Sequence, residues 1–439
     1  MKRRISLLIF ILLFAFVMIF LASCGSNEEE GEVKEGEVRV LNVYNWGEYI
    51  SDGSLGSYDT NAEFEAWYNS THKDKVKIIY TTYATNEDMY AKISSGAGTY
   101  DVIIPSDYMI QKMAKEGLLL PFNVKEDIPN YEYIEDAYKG LLYDPEEKYS
   151  VPYTYGMTGI IYNATLIDEE DAAEESWGLL WNEKYKGKIL QFNNPRDGFG
   201  SAMYYLNLDV NSKDPAVWQK ALDKLLEQKP YVQGYVSDEI FNKMISASAA
   251  AAPYYAGDYI TMADQNENLA FYYPKEGTNV FVDAMCIPKS ARYPDLAKEY
   301  INFMLSEEAA VANALYIGYA SPNRLVKESE DYLDEMGEEA YEILYKLSGA
   351  EANVNYGYDP VYYSFDDETQ ELVNSLWESL KTESAIEPWV HVVSGVIVVS
   401  LLAFGTWTVY LRKKRSKNYR LRDKEAAKAK RRAARSTQG

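Results

Sequence analysis

Short β-branched runs alternate along this chain with stretches in which apolar residues recur every three or four positions. The runs VRVLNVY ending at Tyr44, KVKIIY ending at Tyr80 and YDVIIP ending at Pro105 predict strands, and residues 61–69 and 87–94 predict the helices between them. The alternation predicts an α/β domain with mainly parallel strands. After the third run comes SDYMIQKMAKEG, in which Ser106 suits a helix N-cap and Gly117 a C-cap. A second set follows YSVPYTYGMTGIIYN at residues 149–163: the strand KILQFN, the helix-like FGSAMYYLNL, the amphipathic AVWQKALDKLLEQK and the strand LAFYYP. NVFVDAMCIP at residues 279–288 predicts another strand, and the segment from Tyr293 to Tyr316 predicts two helices divided near Ser306. The small-residue run SASAAAAP at residues 246–253 predicts a strand buried between two lobes.

The two ends follow different patterns. A basic start and an apolar run over residues 5–21 predict a secretion signal, and Leu21-Ala22-Ser23-Cys24 resembles a lipoprotein lipobox with Cys24 as the lipidated residue. An uncleaved anchor with an incidental Cys is the alternative; either puts the next segment outside the cell. Residues 390–411 contain no Asp, Glu, Lys or Arg, and at about 1.5 Å per residue they span roughly 33 Å, which predicts a transmembrane helix. Beyond it, 13 Lys or Arg against Asp423 and Glu425 predict a cytoplasmic tail. The expected organisation is a signal peptide at 1–23, an acidic tether at 24–37, a transmembrane helix at 389–411 and a basic tail at 412–439.

Charge changes this picture most in the middle. The chain carries −23 overall; the tail contributes +11 and the N-terminal basic residues +3, leaving −37 on residues 25–388. Such a region repels nucleic acid and favours cations in its clefts. If Cys24 carries lipid, Cys286 has no partner, so no internal disulfide is expected and the 364 residues between Cys24 and Trp389 must hold by their core, as two domains or lobes. His72 and His391 form no metal or triad constellation, and no glycine-rich phosphate loop appears.

In open α/β sheets the loops at the carboxyl ends of strands line the ligand crevice. NWGEY, SDY and NNPRDGFG fall at such ends. Taken alone, Trp46 is more often core packing, and Asp197 more often a helix cap or a solvated turn. Tyr108 and Tyr319, in a chain with 40 tyrosines, read as packing or as contact. Asp283 is different: it interrupts a strand apolar on both faces, where an unpaired carboxylate is costly.

Several separated motifs in order, LNVYNWGEYI, YTTYATNEDMYAKISSGAGTYDVIIPSDYMIQKMAKEGLL, WGLLWNEKYKGKI, YPKEGTNVFVDAMCIPKSA and INFMLSEEAAVANALYIGYASPN, resemble the spermidine/putrescine-binding proteins of bacterial polyamine ABC transporters. The resemblance runs from about residue 38 to 381. It implies a two-lobed periplasmic-binding-protein fold (type II), with residues 38–157 and about 283–330 in one α/β lobe and residues 158–282 and about 331–384 in the other. It also implies an aromatic box at Trp46, Tyr49, Tyr108, Tyr255, Phe281 and Tyr319, acidic contacts at Glu48, Asp197 and Asp283, and a serine beside the ligand at Ser106. Asn194 stands where spermidine-selective members have Asp, which weakens one ammonium contact. Tyr255 to Asp258 reads YAGD, similar to the WAGD of putrescine-selective members, so Asp258 supplies a further carboxylate. Phe281 replaces a common Trp, and Gly47 a common Thr or Ser. The family pattern has no C-terminal span or basic tail.

The residue types suit such a ligand. Polyamine ammoniums need anionic acceptors on leaving water, and carboxylates at fixed spacing measure amine separation. Rings cover the methylenes and add cation–π attraction. The expectation is therefore a non-enzymatic receptor, extracellular or periplasmic on the cell membrane, without metal or cofactor, that passes a polyamine to ABC permease subunits. The alternatives are a receptor for a sugar or a thiamine-like cation on the same fold, and a glycoside hydrolase using paired carboxylates.

Overall fold

A computed structural model describes residues 36–346, 352–382 and short runs between 396 and 428. Nine strands occur among the described residues: β1 (Val38–Trp46), β2 (Lys75–Tyr83), β3 (Val102–Ile103), β4 (Ser150–Asn163), β5 (Ile189–Phe192), β6 (Val232–Val236), β7 (Ala251–Tyr255), β8 (Leu269–Tyr272) and β9 (Val280–Cys286). The helices of eight residues or more are α1 (Thr60–Thr71), α2 (Asn86–Ser95), α3 (Asp107–Lys115), α4 (Pro195–Tyr205), α5 (Pro215–Gln228), α6 (Ala256–Ala263), α7 (Pro294–Met304), α8 (Glu307–Ile317) and α9 (Asp367–Thr382).

The sheet order is β2-β1-β3-β9-β4-β7-β5-β6, with β8 also on β4. Parallel pairing holds at the two sides, β1 with β2 and β3, and β5 with β6 and β7. The centre departs from the expected parallel sheet, because β9 and β4 run antiparallel to their neighbours. β4 is long enough to serve both sides: Ser150–Met157 pairs with β9, and Thr158–Asn163 with β7 or β8. One strand thus crosses between two half-sheets.

Each half-sheet is covered by helices. Leu41 and Val43 of β1, fully buried on one face, pack with Phe64 and Tyr68 of α1 and Tyr300 and Ile301 of α7. On the other side Leu190, Phe192, Ala252 and Met262 share a core. The alanine run enters this core as β7, with Ala249 to Ala252 all fully buried; small side chains let neighbouring elements close over a central strand.

Local signals decide the helix ends. Ser106 occupies the N-cap position of α3 but makes no capping bond with its side chain. Gly117 sits one residue past the cap at φ +69, and its N–H donates to Ala114 O (3.1 Å). NNPRDGFG is a helix start rather than a loop: Asn194 caps α4, accepting from the Asp197 N–H, and Pro195 takes the first helical position. The segment after β9 divides into α7 and α8 with Ser306 between them.

The signal peptide, Cys24 and most of the tether lie outside the described residues, as does much of the stretch expected to span a membrane. Among the described residues, no helix is long and apolar enough to cross a membrane. The chain divides into compact units at residues 1–377 and 378–439, and the second is helical where described.

Candidate ligand-binding cleft

The turn after β1 forms one wall. The Asn45 side chain accepts the Trp46 N–H (2.8 Å) and donates to Tyr49 O (3.2 Å), which fixes the path of the intervening residues. Trp46 donates its indole N–H to Ile104 O (2.8 Å) and lies against Tyr83. Glu48 has φ +49 and stands exposed at the mouth. Burial, then the Asp238 and Asp52 carboxylates, raise its proton affinity.

Asp283 of β9 lies beneath this turn. Tyr49 donates its hydroxyl to Asp283 Oδ2 (2.6 Å) and also bonds Thr154 Oγ1 (2.6 Å), while Asp283 pairs with Ser106 as a β-bridge. Asp283 is 4% exposed, and its Oδ1 has no hydrogen-bond partner among the described residues. Burial pushes it up to about 6, with the Ser106 and Tyr49 hydroxyls pulling the other way. Ser106 Oγ accepts from Asn86 Nδ2 (3.0 Å), which also donates to the Tyr108 hydroxyl (3.1 Å).

The facing wall comes from α4, β7 and α6. Asp197 Oδ2 accepts from Asn194 Nδ2 (2.9 Å) and from the Tyr255 hydroxyl (2.6 Å). Asn194 therefore holds Asp197 in place as well as capping α4. The Tyr255 ring meets Phe281 at 5.5 Å, nearly perpendicular. Asp258, in the first turn of α6, accepts from the Tyr319 hydroxyl (3.0 Å) and is pushed up to about 8 by burial, with Asp238 and Glu48 adding repulsion. Gly257 explains the small residue of the YAGD motif: an added Cβ would lie 2.1 Å from Tyr319 Cδ2, so only glycine lets that ring reach Asp258.

All eleven residues singled out in the sequence, Trp46, Glu48, Tyr49, Ser106, Tyr108, Asp197, Tyr255, Asp258, Phe281, Asp283 and Tyr319, line this one cleft. Others there escaped the sequence reading. Asp107, buried and pushed up to about 8 chiefly by that burial, accepts from the Tyr108 and Val282 N–H groups. Arg196 lies over the Phe365 and Tyr362 rings at 3.9 and 4.3 Å. Asp238 follows β6, whose Gln and Gly obscured a strand with a site at its carboxyl end. Asn279 precedes β9, and period-two spacing with Phe281 and Asp283 was the available signal.

Gly47 acquires a reason here. A Cβ at that position would meet Asp238 Oδ2 at 2.2 Å, so the missing side chain makes room for a carboxylate from the opposite wall. Gly47→Ala is expected to lower stability by less than about 1 kcal/mol in urea denaturation, because Asp238 is exposed and can rotate away. A loss above about 3 kcal/mol would show that the carboxylate is fixed.

Among the described lining residues there are seven carboxylates and one guanidinium. No group of three or more His, Cys, Asp or Glu is arranged to hold a metal among the described residues. The acids are instead distributed along a channel walled by rings.

The model of the bacterial extracellular solute-binding protein family matches residues 62–336. This chain belongs to that family. The solute-binding protein is 31% identical over 285 residues, 65% of this chain and 78% of the relative, to the spermidine/putrescine-binding periplasmic protein of Escherichia coli. In structure it is similar to the spermidine/putrescine ABC transporter substrate-binding protein PotD of Streptococcus pneumoniae, with TM-score 0.61 and 34% identity, covering 78% of this chain and 98% of that one. It is also similar to the TpPotD lipoprotein of Treponema pallidum, with TM-score 0.63 and 25% identity, covering 78% and 99%. The fold is thus the two-lobed α/β solute-binding fold. The resemblance read from the motifs and the relatives found by comparison agree, and the family consists of solute-binding transport proteins rather than enzymes.

Proposed function

We propose that this solute-binding protein captures a polyamine, putrescine or spermidine, between its lobes and delivers it to an ABC permease. The observation that carries the reading is the buried Asp283, whose Oδ1 lacks a partner among the described residues, in a cleft whose described lining holds seven carboxyl groups and one guanidinium. A neutral sugar would leave those charges uncompensated, whereas ammonium groups satisfy them by charge-assisted hydrogen bonds. Asp197, Asp258, Asp283 and Glu48 receive the nitrogens. Trp46, Tyr49, Tyr108, Tyr255, Phe281 and Tyr319 cover the methylenes, each well-placed ring adding about 0.5–2 kcal/mol next to an ammonium. Ser106 orients Asp283. Sub-micromolar affinity needs more than ~8 kcal/mol, so several rings and acids act together.

On this reading Cys24 carries lipid, the region around residues 389–411 spans the membrane and the basic tail is cytoplasmic. The likeness to a lipoprotein of Treponema pallidum supports the first of these. Two attachments would keep the receptor beside its transporter. Labelling of tail lysines in intact cells tests the topology: reaction with a membrane-impermeant reagent would overturn it.

Calorimetry on the full-length chain in detergent, with putrescine, spermidine, spermine and a neutral sugar, tests the function. Binding of a polyamine and not of the sugar is expected. Binding of no polyamine, or glycoside hydrolysis, would overturn it.

A further inference from the structure

We propose that Asn279 is a further ligand-contacting residue, and that with Asp283 it makes the cleft prefer a triamine to a diamine. This deepens the polyamine reading above and rests on it. Asn279 immediately precedes β9 and keeps the alternate spacing of Phe281 and Asp283 on that strand, and all three line the cleft. Asn279 is 3% exposed, and its Oδ1 has no hydrogen-bond partner among the described residues. Its backbone carbonyl accepts from the Thr158 N–H, so the side-chain Oδ1 is the acceptor left unsatisfied.

A buried acceptor without a partner costs free energy, and a native structure that keeps one needs a reason. Here two occur among the described residues, at alternate positions of β9 and the residue that precedes it: Asn279 Oδ1 and Asp283 Oδ1. Four residues of strand separate their Cα atoms by about 13 Å. Phe281 lies between them, its ring meeting Tyr255 at 5.5 Å and Tyr319 at 6.2 Å. The sequence along this wall is acceptor, ring, acceptor. A ligand that matches it carries nitrogens at both ends of a chain longer than four methylenes, and the middle of that chain, methylene or ammonium, lies against a ring. Spermidine, with seven methylenes and three nitrogens, meets that description, whereas putrescine reaches one acceptor and leaves the other orphaned. The amide oxygen of Asn279 also accepts from an ammonium without adding another charge to a cleft already rich in carboxylates.

The test is titration of the full-length chain and its Asn279→Leu and Asn279→Asp variants with spermidine and with putrescine, alongside the melting temperature without ligand. Asn279→Leu is expected to weaken spermidine binding about tenfold or more, to change putrescine binding less than about twofold, and to keep or raise the melting temperature. Asn279→Asp, which keeps the acceptor, is expected to retain the preference for spermidine, and it carries the test if the leucine variant does not fold. Equal losses for both ligands, or an unchanged ratio of affinities in Asn279→Leu, would overturn the inference. Failure of the unmodified chain to bind either polyamine would instead overturn the function proposed above.

Discussion

Asp283→Asn is expected to weaken polyamine binding at pH 7.5 by a hundredfold or more while leaving the ligand-free protein as stable as before, or more so. The substitution keeps size and shape but removes the charge that an ammonium must meet after leaving water. Truncating one partner of a buried charge pair costs about 2–5 kcal/mol, and each 1.4 kcal/mol is tenfold in affinity. Stability moves the other way because burial raises the Asp283 pKa to about 6 from an ordinary 3.8. Keeping the group ionised in the empty cleft at neutral pH therefore costs on the order of 3 kcal/mol. An amide carries no such penalty, and the Tyr49 hydroxyl still finds Thr154 at 2.6 Å. Isothermal titration and thermal melting on the same samples read both quantities. Affinity within threefold of the unmodified protein would remove Asp283 from the ligand's contacts. A fall in melting temperature would show that the carboxylate supports the fold.

Asp283 was legible from sequence because its cost is local: a charge inside an apolar strand stands out whatever packs around it. The same holds for β1, whose buried Leu41 and Val43 alternate with less buried neighbours, and for Gly117, which needs a left-handed backbone. Elements whose character depends on distant partners were harder. β4 carries two prolonged pairings, and only the positions of β7, β8 and β9 reveal that it changes neighbours at residues 157–158. The NNPRDGFG segment read as a site loop because it falls at the carboxyl end of the KILQF strand. Yet Asn194 and Pro195 already formed a helix start, and one Asn residue both caps the helix and holds Asp197. Gly47 is the clearest case of information outside the local sequence. Its lack of a side chain matters only because Asp238 approaches from the facing wall, a contact that no periodicity predicts.

Polyamine affinity is expected to fall steeply with pH, by at least a hundredfold between pH 8 and pH 5, with about one proton released per ligand bound near pH 7. Asp258 is pushed up to about 8, and Asp283 to about 6, both mainly by burial. These are acids whose folded values lie above their unfolded ones, so from about pH 4 to 8 the empty folded protein holds more protons than the unfolded chain. Stability contributed by these groups therefore rises as pH falls from 8 toward 4. Binding has the opposite dependence, since an ammonium needs the ionised carboxylate and must displace the proton. Primary amines with ordinary values near 10 keep their charge over this range, so the slope belongs to the protein. Each proton displaced gives a tenfold loss of affinity per pH unit below the group's value. Asp258 contributes first, and Asp283 steepens the fall below about pH 6. Titrations at fixed pH in buffers of different ionisation enthalpy count the protons directly. Asp258→Asn is expected to flatten the upper part of the profile without moving the lower part. An affinity constant from pH 8 to 5, with a binding enthalpy independent of buffer, would mean that neither carboxylate meets the ligand.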